Sequence, residues 1–286
     1  MEKLISDEIV RFTAESPENR FPESERRYFS DPLVGIASAD DPIFTEFKTL
    51  IGSFHLIPQE VFEHTLGAKE GAAASVICWI LPITEETRKS NRKENFLPSL
   101  EWGLTRSYGA KFNVSLSRHL AAYLEAFGYQ AVVPTLSPAM KLFEDTPVGV
   151  ASSWSERHAA YAAGLGTFSL NCGFITERGI AIRCGSIITD LVLAPSKRSS
   201  NDPWGNCLYY RNGGCGLCIQ RCPVGAISRK GLDKSKCYKH AYGTAPKTVG
   251  KLYGVAETGC GLCQTKVPCE SRIPIACRTE EKGVLT

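Results

Sequence analysis

The stretch Cys215-Gly216-Leu217-Cys218-Ile219-Gln220-Arg221-Cys222-Pro223 sets three thiols at x2 and x3 spacing and closes on a Cys-Pro junction. This is most of the C-x2-C-x2-C-x3-C-P run that binds [4Fe–4S] clusters, whose last cysteine serves a second cluster. The first cysteine of the full run falls at position 212, which is Asn212, and Cys207 is the natural substitute. A second group follows: Cys237, Cys260-Gly261-Leu262-Cys263 and Cys269. The crossed arrangement assigns one cluster to Cys207, Cys215, Cys218 and Cys269, and the other to Cys222, Cys237, Cys260 and Cys263. Cys277 is left over and competes with Cys269, because Cys263-x5-Cys269 is longer than the usual spacing. A zinc ribbon is the alternative for two Cys-x2-Cys knuckles, but it needs only four cysteines and has no use for the Cys222-Pro223 junction.

Nine of the twelve cysteines lie between Cys207 and Cys277, while Cys78, Cys172 and Cys184 stand alone. In a reducing compartment such crowding points to metal binding rather than disulfides. Cys78, inside the apolar run Ser75-Val76-Ile77-Cys78-Trp79-Ile80-Leu81, reads as a small hydrophobe. The formal charge is +3. A [4Fe–4S] core with four thiolates carries about −2, so two clusters bring the loaded protein close to −1. The basic balance is therefore no argument for nucleic acid, and no basic run with interleaved aromatics exists. No apolar stretch is long enough to span a membrane. The N-terminus, Met1 to Glu8, lacks the apolar segment of a secretory signal. These features lead us to expect a cytoplasmic protein without membrane contact.

Working upstream, residues 1–50 read as a polar, irregular arm with one helix. The run from Ser75 to Leu81, closed by Pro82, predicts a strand buried on both faces. Phe112, Leu116, Leu120, Leu124 and Phe127 recur at helical spacing up to Gly128. Tyr129–Val133 predicts another strand, 155–163 a helix ending at Gly164-Leu165-Gly166, and Gly179–Val192 an extended segment. Strand, long helix and strand in series argue for an α/β domain over residues 1–195. The polar, Pro-flanked segment from Ala194 to Pro203 reads as a linker. A ferredoxin-like domain with two [4Fe–4S] clusters follows over 204–286, and the whole belongs to the α+β class.

A family resemblance becomes visible in Ala163-Gly164-Leu165-Gly166, Thr189-Asp190-Leu191 and the crossed cysteines. The combination resembles the epoxyqueuosine reductases and the reductive dehalogenases, from about Ser75 to Cys269. Arg106-Ser107-Tyr108 is similar to the "RDY" of the first family. The resemblance implies a nitroreductase-like N-terminal domain holding base-off cobalamin, reduced to Co(I) by the clusters. Gly164, Leu165, Gly166, Phe168, Ser169 and Asn171 are then the expected cofactor contacts, with glycines allowing close approach to a flat macrocycle. Tyr108, His158 and Tyr161 are the candidate proton donors, with Glu156 and Arg157 beside them. The catalytic aspartate of the epoxyqueuosine enzymes falls near Val150, where no carboxylate stands; the nearest are Asp145 and Glu156. The expected activity is an iron–sulfur, corrinoid-dependent oxidoreductase fed by reduced ferredoxin or flavodoxin, acting on a small molecule or modified nucleoside. Two other readings stand beside it: an electron-transfer protein that reduces a partner's corrinoid, and a flavin-dependent iron–sulfur reductase.

Overall fold

The computed structural model describes residues 1–68, 71–198 and 200–275. Cys277, the competing ligand, lies outside the described residues. In chain order the first elements are α1 (Glu2–Glu15), β1 (Leu33–Ser38), α2 (Ile43–Ile51), α3 (Pro58–Leu66), β2 (Ser75–Pro82), α4 (Glu85–Arg92), α5 (Leu100–Ala126) and β3 (Ala131–Val132). Next come the short hairpin β4 (Leu142–Phe143) and β5 (Ala151–Ser152), then α6 (Glu156–Ala162), β6 (Gly166–Phe168), β7 (Phe174–Thr176) and β8 (Ile182–Thr189).

One four-stranded sheet, ordered β1-β2-β8-β3 with every pair antiparallel, organises this part. All eight residues of β2 are buried, as an apolar run without alternation predicts. Its side chains alternate between two separate cores. Val76, Cys78 and Ile80 join α2, α3 and α6 on one face. Ile77, Trp79 and Leu81 join α1 and α5 on the other, through Ile5, Ile9, Phe112, Leu116, Leu120 and Leu124. The result is helices on both faces of an antiparallel sheet, a mixed α/β architecture.

The long helix starts earlier than its heptad pattern shows, because the Ser99 side chain accepts from the Trp102 N–H at 3.2 Å and caps it. The N-terminal arm is a correction. Residues 1–50 hold α1, β1 and α2, and β1 pairs with β2 from Leu33↔Ile80 to Ser38↔Ser75. Gly35 hides this strand by interrupting its apolar pattern. A Cβ there would lie 2.5 Å from the Ala163 carbonyl oxygen, so the close packing of α6 on β1 demands the glycine.

After β8 the chain crosses the supposed linker, where Ser196 hydrogen-bonds in both directions with the backbone of Ile36. Short elements follow: α7 (Leu208–Asn212), α8 (Leu217–Arg221), the hairpin β9 (Ile227–Ser228) and β10 (Gly231–Leu232), α9 (Lys234–Tyr238), two π-helical turns and α10 (Lys251–Tyr253). They dock firmly on what precedes them. Arg92 reaches Glu270 with contacts of 2.5 and 2.8 Å, and the buried Glu270 also meets Arg88 at 3.4 Å. Ile180 donates to the Cys269 carbonyl at 2.8 Å. No described helix is long and apolar enough to cross a membrane.

Phe112 is fully buried between Phe12 and Phe29. Phe112→Ala is expected to cost about 3–5 kcal/mol in urea unfolding. Leu252→Ala, at a side chain 80% exposed, should cost under about 0.5 kcal/mol.

Candidate functional site

The eight cysteines between Cys207 and Cys269 arrive from short turns that have little core of their own. Their mutual influence sorts them into two groups. Burial, then the neighbouring Cys215 and Cys207, push the Cys218 thiol up to about 11. The Cys269 thiol is raised by burial and then by Cys218, Cys207 and Cys215. Cys260 is pushed up to about 11 by burial, with Cys237 and Cys222 adding to it. Cys237 is raised by burial and by Cys222, and Cys263 by burial and by Cys260 and Cys237. This grouping parallels the first quartet expected from the sequence (Cys207, Cys215, Cys218 and Cys269) and the second (Cys222, Cys237, Cys260 and Cys263), with Cys172 also acting on Cys237. They approach each other at Cys218 and Cys263. Among the described residues no three His, Cys, Asp or Glu side chains converge tightly enough to hold a single metal ion. A cubane spreads its thiolates farther apart than one zinc ion does.

Arg221 fixes this arrangement. Its Nε donates to the Leu262 and Thr265 carbonyls at 3.2 and 3.1 Å, Nη1 to Glu94 O at 2.9 Å and Nη2 to Asn91 O at 3.3 Å. The residue between Cys218 and Cys222 therefore locks both the Cys260–Cys263 turn and the end of α4.

A cavity of about 710 Å³ lies beside the second quartet. Cys222, Cys237, Cys260 and Cys263 form one wall, and Met140, Trp154, Ser155, Glu156, Arg157, Arg183 and Cys184 line it from the sheet and α6. A smaller apolar cavity, bordered by Leu170, Ile175, Ile180 and Val267, sits among the cysteines of the first quartet.

Of the expected cofactor contacts, Asn171 borders both cavities, and its Nδ2 donates to the Cys263 carbonyl at 3.0 Å. Ser169 borders the smaller one and donates to Asn171 Oδ1 at 2.6 Å. Gly164, Leu165, Gly166 and Phe168 do not line the large cavity. Their close approaches are to the protein itself. A Cβ on Gly164, where φ is +76°, would meet Lys197 O at 2.9 Å, and one on Gly166 would meet Ile175 O at 2.3 Å. The three candidate proton donors also lie off the cavity. Tyr108 stacks on Tyr28 with centroids 6.4 Å apart, beneath the Lys111 ammonium. His158 accepts or donates at Ser155 Oγ, 2.7 Å away, and packs on Phe47 and Phe168; burial drives it down to about 3. Tyr161 donates to Asn201 O at 3.0 Å.

Glu156 faces the cavity instead. Its Oε2 is shut off from solvent and has no hydrogen-bond partner. Burial raises the carboxyl to about 7, against the opposing pull of Ser186 and Trp154. Two more charged groups line this wall: Arg106, the first residue of the Arg106-Ser107-Tyr108 motif, and Arg183, which the sequence reading did not single out. Arg106 pairs with Glu257 at 2.9 Å and lies over the Tyr242 ring. Arg183 has one hydrogen bond, from Nη2 to Arg106 O at 3.2 Å, and burial lowers it to about 10. Val150, where the relatives' aspartate was sought, accepts at its carbonyl from Lys234 Nζ at 3.3 Å.

The shift of Glu156 has a measurable sign. Between its ordinary 4.5 and about 7 the unfolded chain ionises while the folded protein keeps the proton, so the wild type loses stability as pH rises through that window. Glu156→Gln, which cannot ionise, should gain up to roughly 3 kcal/mol over the wild type between pH 4.5 and 7 in denaturant titrations. An unchanged difference would place the carboxyl in open solvent.

No protein-family profile matches the chain. The epoxyqueuosine reductase of Bacillus cereus is 34% identical over 119 residues, which is 40% of this chain and 29% of that protein. The matched stretch thus spans under a third of the curated relative's length. A crystal structure of selenomethionine-labelled epoxyqueuosine reductase superposes with a TM-score of 0.53 at 16% identity, covering 96% of this chain and 67% of the other. A reductive dehalogenase whose structure bears on B12-dependent dehalogenation gives 0.52 at 16% identity, covering 96% and 37%. The chain is similar in sequence to the epoxyqueuosine reductases, and it shares its fold with them and with the reductive dehalogenases.

Proposed function

We propose that this chain is an iron–sulfur oxidoreductase that passes electrons through two [4Fe–4S] clusters to a corrinoid in the 710 Å³ cavity. The observation that carries this reading is the shared wall: the second thiol quartet borders both the cavity and, through Cys263 and Cys218, the first quartet. The donor set suits iron–sulfur chemistry, since two all-cysteine quartets in short, poorly cored turns match cubane ligation. The cavity suits a large cofactor with a flat face. Trp154 and Met140 supply apolar surface, while Glu156 Oε2 has no protein partner and Arg183 uses only Nη2 of its fork, on Arg106 O.

A bound corrinoid would supply low-potential reduction of an electrophilic carbon or leaving group, which amino-acid side chains do not provide. Around it, Met140, Trp154, Ser155 and Arg157 would form the wall opposite the cluster. Glu156, uncharged below about pH 7, holds a proton at the cavity surface. It fills the place of an acid that the relatives' pattern puts near Val150 and this chain lacks. Such an acid is most useful when its pKa sits near the working pH. Asn171, bridging the two cavities, fixes the Cys263 backbone and so the distance between the clusters. The N-terminal 195 residues and the cysteine-bearing remainder act in this reading as one catalytic body, supplied with electrons by a reduced ferredoxin or flavodoxin. The substrate is a small molecule or a modified nucleoside.

Anaerobic reconstitution tests the reading. Eight irons per chain are expected, with about half lost in Cys218→Ser and about half in Cys263→Ser. Added cob(II)alamin should bind one to one and change its electron paramagnetic resonance spectrum. Full iron content in both variants would refute the quartets. Complete clusters with no corrinoid retained would leave electron transfer to a partner as the function, and a bound yellow chromophore would favour flavin.

A further inference from the structure

Three guanidinium groups, those of Arg106, Arg157 and Arg183, line the cavity together with Glu156 and the second thiol quartet. Arg106 is answered by Glu257. Arg157 spends one donor on the Cys172 carbonyl. Arg183 is different. Among the described residues no carboxylate lies within ion-pairing distance of it, and its single hydrogen bond leaves Nε and Nη1 free. Arg106 opposes its charge, while Tyr242, Cys184 and Glu257 act in its favour from beyond hydrogen-bond distance. The position is set by the fold, since β8 pairs Arg183 with Leu81 in the centre of the sheet. Half-buried at the cavity wall, the Arg183 guanidinium keeps two donors that an anion in the cavity could take up.

We propose that the occupant of this cavity presents an oxyanion, a phosphate or carboxylate, to the fork of Arg183. Guanidinium receives either group through two parallel N–H···O bonds, and the two free donors on Arg183 are what such a contact needs. Used as a substrate handle, this contact rests on the reading of the cavity as a reductase site and narrows the substrate to anionic molecules. The same chemistry could come from the phosphodiester of a cobalamin, and the two sources separate in the experiment.

Cluster-loaded, corrinoid-free protein is titrated calorimetrically with sodium phosphate and with sodium benzoate. One of them should bind at one site per chain, and Arg183→Gln should weaken it by about 30-fold or more. Arg198→Gln, which breaks a pair with Asp41 away from the cavity, should leave it unchanged. If the wild type takes neither anion, cobalamin and phosphate-free cobinamide are compared by their Co(II) spectra. A loss confined to cobalamin in Arg183→Gln then assigns the oxyanion to the cofactor. Should the glutamine variant lose its iron, Arg183→Lys decides, with about tenfold weaker binding expected from loss of the two-point fork. The proposal is overturned if anion binding is the same in the variants as in the wild type. It is overturned too if no anion binds and both corrinoids are held equally with and without Arg183. Corrinoid retention by the wild type, read separately, tests the proposed function and leaves the anion result standing.

Discussion

One guanidinium holds the cysteine-bearing part in register. Arg221 sits one residue before Cys222, and its donors reach the Cys260–Cys263 turn on one side and the end of α4 on the other. Four carbonyls, those of Asn91, Glu94, Leu262 and Thr265, accept from this single planar group. Cys218 and Cys222 lie on either side of this residue, so its contacts hold the backbone that carries both thiols, and Cys222 borders the cavity.

The sheet sets where that cavity can be. A strand with two buried faces must be covered by helices on both sides, and β2 is so covered by α6 and α5. The start of β8 carries Arg183 and Cys184 to the gap that the cysteine-bearing segment closes. Glu156, at the first turn of α6, faces the same gap. The cavity therefore has one wall from the sheet and its helices and one from the turns that follow them.

Legibility in the sequence followed the physical nature of each signal. Fixed spacings among cysteines do not depend on folding detail, so the two expected quartets could be named residue by residue from spacing alone. The doubly buried strand was equally plain, because Val76-Ile77-Cys78-Trp79-Ile80-Leu81 leaves no polar side. By contrast, β1 was missed since Gly35 breaks its pattern for a reason that exists only in three dimensions, the approach of Ala163. The turn at Gly164–Phe168 was read as a cofactor cradle, yet its glycines serve contacts with Lys197 and Ile175. His158 and Tyr161 share a short helix with Glu156, and only the packing of Phe47 and Phe168 shows which of them face inward. One signal was available and unused: Arg183 is a charge within the apolar run from Ile180 to Ile188, and charges in such runs have a purpose.

Cys269 joins two things that are usually separate. Its thiol belongs to the first quartet, while its carbonyl receives the Ile180 N–H immediately upstream of β8. Under the proposed function, iron uptake and the docking of the final described segment would be coupled, each raising the equilibrium constant of the other. A chain waiting for its metal would hold this contact weakly, together with the Arg92–Glu270 pair beside it. In that reading, delivery of the inorganic cargo would help to complete the walls of the pocket that an organic guest enters.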